Sequence, residues 1–564
     1  SSSDIAFGTG ANSLVADKIT GTKTEKSNIS SKGINTYKLG SVNFAKIDSS
    51  EAQSDAIKIT RAAADAIINL SKGDNLLDAT NQTLTAVQIT SAQGGNGSTT
   101  ILAGSLAGRN NTDQASSIVL AGSTAGNTVS IAKTVKYAAI DTGDGAGDIH
   151  TGAINSASIR MGGESSTADQ TLTVNGSATG LTYKGSKGKD ELTVLGGVSN
   201  SNIDLGEGNN SLIARNAKDV AQTLNNTNIT AAGNGSTNLD IGGFVYGAAG
   251  NAINLGTGEN VISMGGISGK GTKGLSIFVD DSEKNQIINI NGSVNYLNYH
   301  GSKGNDEVNI AGGMNSSNID LGAGDNSFTA RNAKDVAQRV TNTNITATGS
   351  GSTSLDMGAF VYSATGNAIT LGAGENTINM GSISGKGTYG LSIIAGASER
   401  TQTLNVNGSA NYLNYQGSKG DDEINILGGV GNSNIDLGTG DNSFTARNAK
   451  DAAQRVTNTN ITASGSGTNT LIMGAYVYGA QGNTFDLDAS SNEINVGSVS
   501  GKGTYGLSII ADASAKDQSL NVNGSANYLK YRGSKGDDEI NILGGVSNSN
   551  IDLGTGDNSF TARN

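Results

Sequence analysis

The sequence contains no proline, no cysteine and no tryptophan among its 564 residues. Average usage of about 5% would give roughly 28 prolines in a chain of this length. Proline cannot donate a hydrogen bond to a β-sheet and is tolerated only at edges and turns, so a chain without it is expected to pair most of its backbone amides in sheets. The absence of cysteine excludes disulfides, zinc–thiolate sites and a cysteine nucleophile.

Charge and hydropathy argue against nucleic acid and membranes as partners. The 37 basic and 49 acidic residues give a net charge of −12, which disfavours binding to nucleic acid or to anionic lipid. No run approaches the ~18 consecutive apolar residues of a membrane-spanning helix. The opening SSSDIAFGTG lacks the basic and apolar segments of a secretory signal, so we expect that a signal has been removed or that export follows another route.

The feature that is present is a long repeat. The sequences GSKGKDELTVLGG, GSKGNDEVNIAGG, GSKGDDEINILGG and GSKGDDEINILGG begin at Gly185, Gly301, Gly417 and Gly533, a constant spacing of 116 residues. A fixed period over this distance is typical of stacked architectures, in which each unit buries its apolar face against its neighbours. We define three repeats and a partial fourth, over 185–300, 301–416, 417–532 and 533–564. Because the chain stops within the fourth repeat, we expect it to be part of a longer protein.

Each repeat is itself built from short alternating segments. Runs such as EINIL at 423–427 and SLNVNG at 519–524 lie between turns rich in Gly, Asn, Asp and Ser, and this alternation is typical of half-buried strands. The intervals group into coils of roughly 20 to 27 residues. The predicted fold class is therefore all-β: a right-handed parallel β-solenoid (β-helix) with about five coils per 116-residue unit. With coils ~4.8 Å apart, one repeat rises roughly 24 Å.

Two segments favour helices instead. ARNAKDAAQRV (446–456) is rich in alanine, and Asn448 followed three residues later by Asp451 resembles an N-terminal cap, so we expect a short helical excursion there. Asn216 with Asp219 and Asn332 with Asp335 repeat this arrangement in the other units.

The second segment lies near the start. Residues 50–70 place Ala56, Ile59, Ala63, Ile67 and Leu70 at helical spacing. We expect residues 1–90 to form a helical N-terminal cap or anchoring region that covers the open end of the solenoid. Diverged coils are expected over 91–184.

The GSKG turns carry the most specific motif. G-S-K-G-D-D-E-I-N at 417–425 and its copies keep the first and fourth glycines, the acidic sixth residue and the apolar eighth residue of the nonapeptide G-G-x-G-x-D-x-U-x. The chain thus resembles RTX-type cell-surface solenoids of S-layer and giant-adhesin type, and this resemblance implies calcium binding. Calcium takes six to eight oxygen ligands, and Asp441 or Asn442 in the adjacent coil are the expected partners of Asp422. The candidate metal ligands are Asp190, Asp306, Asp421, Asp422, Asp441, Asn442, Asp537 and Asp538. The alternative is plain turn chemistry, since Gly, Asp and Asn also make tight turns.

Aromatic and charged residues recur at the same height in every repeat. FVY or YVY runs contain Phe244 and Tyr246, Phe360 and Tyr362, and Tyr476 and Tyr478, while NYLNY-type runs contain Tyr296 and Tyr299, Tyr412 and Tyr415, and Tyr528 and Tyr531. Residues two apart on a strand share a face, so the first set is a candidate interface, with local packing as the alternative. Arg447, Lys450 and Asp451, repeated in the other units, are candidate contacts between subunits or solvent-exposed salt bridges.

Catalysis has little support. The two histidines, His150 and His300, do not recur between repeats, and three identical charged sites fit contacts better than active sites. We therefore expect a non-enzymatic, extracellular structural protein that self-assembles into a cell-surface layer or filament, with itself and cell-envelope polysaccharide as partners. The main alternative is an adhesin in which the solenoid is a spacer. Minor alternatives are a polysaccharide-acting β-helix enzyme and an ice-binding protein.

Overall fold

The computed structural model of the chain describes most of the 564 residues. They are residues 2–94, 96–110, 114–120, 124–216, 218–245, 251–269, 274–332, 334, 336–358, 360–361, 367–385, 390–396, 398–448, 454–474, 476–477, 483–487, 490–501 and 506–563, with the backbone alone for 245, 360, 361, 476 and 477. The chain divides into two compact bodies, the N-terminal body Ser1–Ser282 and the C-terminal body Glu283–Asn564.

The architecture confirms the all-β prediction. The chain forms a parallel β-solenoid of about 22 turns, each of about 23 residues, and the described part contains no helix. The handedness of the coil stays a prediction.

The strands of the N-terminal body are β1 Asp4–Ala6, β2 Ala11–Thr20, β3 Ser27–Ser30, β4 Ile34–Asn43, β5 Ala45–Asp48, β6 Ser54–Ala64, β7 Ile67–Leu70, β8 Asn75–Thr85, β9 Gln88–Ser91, β10 Thr99–Ala107, β11 Ser116–Val119, β12 Asn127–Asp141, β13 Gly147–Arg160, β14 Gln170–Val174, β15 Ala178–Lys184, β16 Asp190–Val194, β17 Val198–Ser199, β18 Asn202–Asp204, β19 Asn210–Ile213, β20 Leu224–Asn225, β21 Asn228–Thr230, β22 Thr237–Asp240, β23 Phe244–Val245, β24 Asn251–Leu255, β25 Asn260–Met264, β26 Ile267–Ser268 and β27 Leu275–Val279.

The strands of the C-terminal body are β28 Gln286–Ile290, β29 Val294–Asn295, β30 Leu297–His300, β31 Asp306–Ile310, β32 Met314–Asn315, β33 Asn318–Asp320, β34 Asn326–Thr329, β35 Val340–Thr341, β36 Asn344–Thr346, β37 Thr353–Asp356, β38 Phe360–Val361, β39 Asn367–Thr370, β40 Asn376–Met380, β41 Ile383–Ser384, β42 Leu391–Ile394, β43 Gln402–Val406, β44 Ala410–Asn411, β45 Leu413–Gln416, β46 Asp422–Ile426, β47 Val430–Gly431, β48 Asn434–Asp436, β49 Asn442–Ala446, β50 Val456–Thr457, β51 Asn460–Thr462, β52 Thr468–Met473, β53 Tyr476–Val477, β54 Asn483–Asp486, β55 Ser491–Val496, β56 Val499–Ser500, β57 Leu507–Ile510, β58 Gln518–Val522, β59 Ala526–Asn527, β60 Leu529–Arg532, β61 Asp538–Ile542, β62 Val546–Ser547, β63 Asn550–Asp552 and β64 Ser559–Ala562.

In the repeats, each turn contains three strands, and within each body a strand pairs in parallel with the strand three places on. β46 pairs with β49, which pairs with β52 in the next turn, and Ile424 lies opposite Phe444. The GSKG turn precedes β16, β31, β46 and β61 in successive repeats, so one repeat spans fifteen strands, or five turns. This count confirms the five coils expected from the sequence.

The core is a narrow column of aliphatic side chains. In β46 the residues Asp422, Ile424 and Ile426 point inward, while Glu423 and Asn425 between them are exposed or half-buried. Burying one isoleucine side chain contributes roughly 1.5–3 kcal/mol, and nearly every strand adds one or two. A ladder of buried amides accompanies this column: the side chain of Asn442 donates to Asn469 over 2.9 Å, and that of Asn469 donates to Asn492 over 2.8 Å.

The corners between strands use left-handed backbone. Asn432 and Asn458 have φ of 50° and 47°, and Gly438 has φ of 72°. Asparagine and glycine tolerate this region best. A Cβ atom on Gly438 would also lie 2.0 Å from the carbonyl oxygen of Ser418 in the preceding turn, so this glycine is required by the close approach of two turns.

The helix predicted over 50–70 is wrong. These residues form β6 and β7, and the cap region 1–90 forms strands throughout its regular parts. Ile57 and Ile59 point inward with the period of a strand, but a β-bulge between Lys58 and Ala63 shifts the register before Ala63 turns inward again. The bulge separates Ile59 from Ala63 by four residues, which is also the spacing of a helix face.

The predicted helical excursion is also replaced, in the first two repeats, by a tight hairpin. The side chain of Asn216 accepts the N–H groups of Lys218 (2.9 Å) and Val220 (3.0 Å), as an N-cap would. Instead of continuing a helix, Asp219 takes φ of 59° and Arg215 pairs with Ala221 as an antiparallel bridge. The equivalent segment 449–453 of the third repeat lies outside the described residues.

Candidate functional site

The GSKG turns place an aspartate inside the solenoid. Asp422 is only 1% exposed, because it begins β46 in phase with the inward isoleucines. Its carboxyl group accepts hydrogen bonds from the N–H (2.7 Å) and the hydroxyl (2.9 Å) of Ser418. Its own N–H donates to Oδ1 of Asn442 in the next turn over 2.9 Å. Asn442 is therefore its neighbour, as predicted, but it contacts the backbone of Asp422.

A tyrosine seven residues before each aspartate completes this group, which we call the Tyr–Ser–Asp cluster. In three copies the tyrosine hydroxyl donates to the carboxyl group, over 3.3, 3.0 and 3.1 Å in the pairs Tyr183–Asp190, Tyr299–Asp306 and Tyr531–Asp538. In the remaining copy, Tyr415 is buried at the same position, but its hydroxyl has no hydrogen-bond partner among the described residues. The sequence could have revealed that the aspartate points inward, since it lies two residues before an inward isoleucine on the same strand.

Burial raises the pKa of three of these carboxyl groups. Desolvation is the largest cause: it raises the pKa of Asp190 and of Asp422 to about 7, against the opposing effect of the serine hydrogen bonds. The pKa of Asp306 is raised for the same reason. Desolvation, followed by the neighbouring carboxyl group, also raises the pKa of Tyr183 well above its ordinary value. The carboxyl groups of Asp190 and Asp422 are thus mainly protonated below pH 7.

The buried aspartates do not fit calcium. A calcium site needs several ionised oxygens that converge on one point, whereas the carboxyl oxygens of Asp190, Asp306, Asp422 and Asp538 each face serine or tyrosine donors. In the part of the chain that the structure describes, no group of three or more His, Asp or Glu side chains could hold a metal ion.

The exposed candidate metal ligands accept backbone hydrogen bonds from the next turn. Oδ1 of Asp421 accepts the N–H of Asp441 over 2.8 Å, and Oδ1 of Asp441 accepts the N–H of Thr468 over 2.7 Å. Asp537 accepts the N–H of Asp557 in the same way. Asp537 and Asp557 line an open acidic groove together with Glu493 and Glu539. The aspartates at this position therefore satisfy backbone amides between turns.

The arginine of the charged hairpin bonds to other residues of the same chain. Nε and Nη2 of Arg215 donate to the carboxylate of Asp240 over 2.5 and 2.9 Å, and Nη1 donates to the carbonyl of Asp219 over 2.9 Å. Arg331 makes the same two-point contact with Asp356. Arg447 is half-buried at the equivalent position, and Lys450 and Asp451 lie outside the described residues.

The predicted aromatic pairs are only partly described. Phe244 is 2% exposed and pairs with Leu224, so its side chain lies in the core, as the alternative of local packing expects. Tyr246, Tyr362 and Tyr478 lie outside the described residues, as do the side chains of Phe360 and Tyr476.

A second set of tyrosines does reach the surface. Tyr296, Tyr412 and Tyr528 are half-buried and occupy left-handed corners, with φ of 60°, 60° and 63°. They therefore differ from Tyr299, Tyr415 and Tyr531, three residues later, which lie in the core. The NYLNY runs thus contain one core tyrosine and one surface tyrosine.

These features define a repeat protein of the parallel β-solenoid class. Comparison with protein-family models, with curated proteins and with solved structures found no match. Among the described residues, no helix is long and apolar enough to cross a membrane.

Proposed function

We propose that this chain is an extracellular structural subunit that self-assembles into a cell-surface layer or filament, without enzymatic activity. The observation that carries the proposal is the surface repeat. Because β31, β46 and β61 begin equivalent five-turn repeats, the C-terminal body displays the same side chains at intervals of about 24 Å. A surface copied in this way offers several identical contacts, and such contacts reinforce one another in an assembly.

The internal bonding of the solenoid also supports a structural task. The hairpin arginines, the exposed aspartates of the turns and the buried carboxyl groups are engaged within the chain, as described above. In the described residues, this leaves the polar groups of the repeated motifs committed to holding turns together rather than converging on a substrate. Placement at the cell surface rests on the resemblance of the GSKG turns to those of S-layer and adhesin solenoids.

The test is electron microscopy and sedimentation velocity of the purified chain over a concentration series. We expect ordered sheets or filaments whose Fourier transforms contain a spacing of about 24 Å. Parallel samples with calcium and with a chelator test whether assembly needs the metal that the resemblance implies. A chain that stays monomeric at every concentration, with and without calcium, would contradict the proposal and favour the adhesin spacer.

A further inference from the structure

One face of the C-terminal body carries no charge at the corners that the structure describes in full. It consists of two-residue strands and the corners after them, and we call it the neutral face: residues 294–297, 314–317, 340–343, 410–413, 430–433, 456–459, 526–529 and 546–549. Seventeen of these 32 residues are exposed or half-buried, and none of the seventeen is charged, whereas the chain average of 15% would give two or three. The residues directly beside these segments are uncharged except for Arg339, Arg455 and Lys530. The corners after β38, β41, β53 and β56 extend beyond the described residues, and the sequences that follow β41 and β56 contain Lys386 and Lys502.

The other two strands of each turn are different. The outward side of the first strand carries Glu307, Glu423 and Glu539, and that of the third strand carries Asp320 and Asp436. The chain has a net charge of −12, so two copies that met through either of these sides would bring like charges together. The neutral face avoids this repulsion.

The corner tyrosines are conformational outliers on this face. Other corners of the neutral face use Asn432, Asn458 or Ser316, and Gly180 has φ of 64° one repeat before Tyr296. A bulky side chain in the left-handed region costs on the order of 1 kcal/mol. The interior is occupied by Tyr299, which is 1% exposed, whereas Tyr296 is only half-buried. Tyr137 and Phe44 share this backbone conformation, with φ of 48° and 47°, but each stands alone. The three corner tyrosines recur at the same position of successive repeats, as a repeated contact outside the chain requires.

Composition and spacing indicate what makes this contact. Tyrosine, asparagine and serine dominate the neutral face, and interfaces are enriched in tyrosine and depleted of charge. Tyr296, Tyr412 and Tyr528 recur every five turns, or about every 24 Å. A partner that engages all three at once must carry the same period, and a second copy of this chain does so.

We propose that the neutral face is the contact between copies of the chain, with Tyr296, Tyr412 and Tyr528 as its anchors. This inference rests on the proposed self-assembly and names the surface responsible for it. Three equivalent anchors bind cooperatively, so loss of all three has a larger effect than one contact suggests. Because the contact relies on uncharged residues, screening by salt leaves it intact and reduces the repulsion between the acidic sides.

The test replaces the three anchors in the full chain, as Tyr296→Asn, Tyr412→Asn and Tyr528→Asn together. Asparagine suits a left-handed corner, so the variant should fold with unchanged circular dichroism. Tyr137→Asn is the matched control, since Tyr137 is also half-buried with φ of 48° but lies in the N-terminal body. By sedimentation velocity, we expect the triple variant to need at least tenfold more protein to assemble, and the control to assemble like the parent chain.

Four results would overturn the inference. Parent-like assembly of the triple variant would refute it while the proposed function stands, and a parent chain that never assembles would refute both. Dissolution of the parent assembly by salt would show that charged surfaces make the contact. If the triple variant assembles normally but no longer co-sediments with cellulose, a neutral glycan is the partner of the tyrosines instead.

Discussion

The buried carboxyl groups predict that the solenoid becomes less stable as the pH rises towards neutrality. An aspartate in the unfolded chain titrates near its ordinary pKa of 3.8, whereas in the folded chain the pKa of Asp190 and of Asp422 is about 7. Between these two values the folded state holds a proton that the unfolded state has released. The stabilisation is complete below pH 3.8 and is lost as the pH rises through 7, by about 4 kcal/mol at each aspartate.

The neighbours of these groups do not reverse this direction. Asp204 faces Asp190, and Asp421 and Asp436 face Asp422, and each of these negative charges raises the pKa further. The opposite case is Asp78, whose pKa is lowered to about 2, chiefly by its hydrogen bond to Lys58. Its contribution is lost only as the pH falls below 3.8 towards 2, outside the window in which the buried aspartates act.

The perturbation is Asp422→Asn, which keeps the size of the side chain but cannot titrate. Urea unfolding is followed by circular dichroism from pH 4 to pH 8. As the pH rises, the free energy of unfolding of the parent should fall relative to that of the variant, by up to ~1.4 kcal/mol per pH unit. Hydrogen exchange of the amides in β46 checks the same effect locally, because solenoids can unfold in parts. Asp219→Asn, at an exposed aspartate of the N-terminal body, is the control and should not change the slope. A difference that stays constant with pH would refute the reasoning.

Two further predictions concern single contacts. Tyr299→Phe removes the hydrogen bond to Asp306 and should lower the free energy of unfolding in urea by about 1 kcal/mol. Tyr415→Phe removes a hydroxyl that has no partner among the described residues, so it should be neutral or slightly stabilising in the same assay. Equal losses in the two variants would contradict this contrast. Gly438→Ala should lower the melting temperature by several degrees, since the new methyl group meets a backbone carbonyl at a left-handed corner. Gly126→Ala is its control, since the nearest atom lies 3.7 Å away, and an equal fall in both melting temperatures would argue against the steric explanation.

The sequence predicts the solenoid well because its signals are repeated and local. Alternation in runs such as 423–427, the glycine-rich turns and the constant 116-residue spacing all agree with the strands and the five turns per repeat. The helix over 50–70 fails because a β-bulge reproduces helical spacing, and because pairing with neighbouring turns overrides the helix propensity of an alanine-rich run.

The site is harder to predict because the same residues serve two kinds of chemistry. The Asn216 side chain accepts the backbone N–H groups of Lys218 and Val220, which is also the first step of a helix cap. The acidic residue of the GSKG turn matches a metal ligand in sequence. Its inward direction follows from its phase with Ile424, but the desolvation that keeps it protonated depends on turns that are distant in sequence.

The equivalence of turns five places apart has a consequence for the history of the molecule. The turn before Gly301 and the turn before Gly417 present the same kind of surface to the turn stacked on each of them. Loss or gain of one whole repeat by recombination at the gene level would join matching surfaces and leave no strand without its counterpart. Variants of different length could therefore arise in a single genetic event, and each would reach a different distance without any new residue having to be selected.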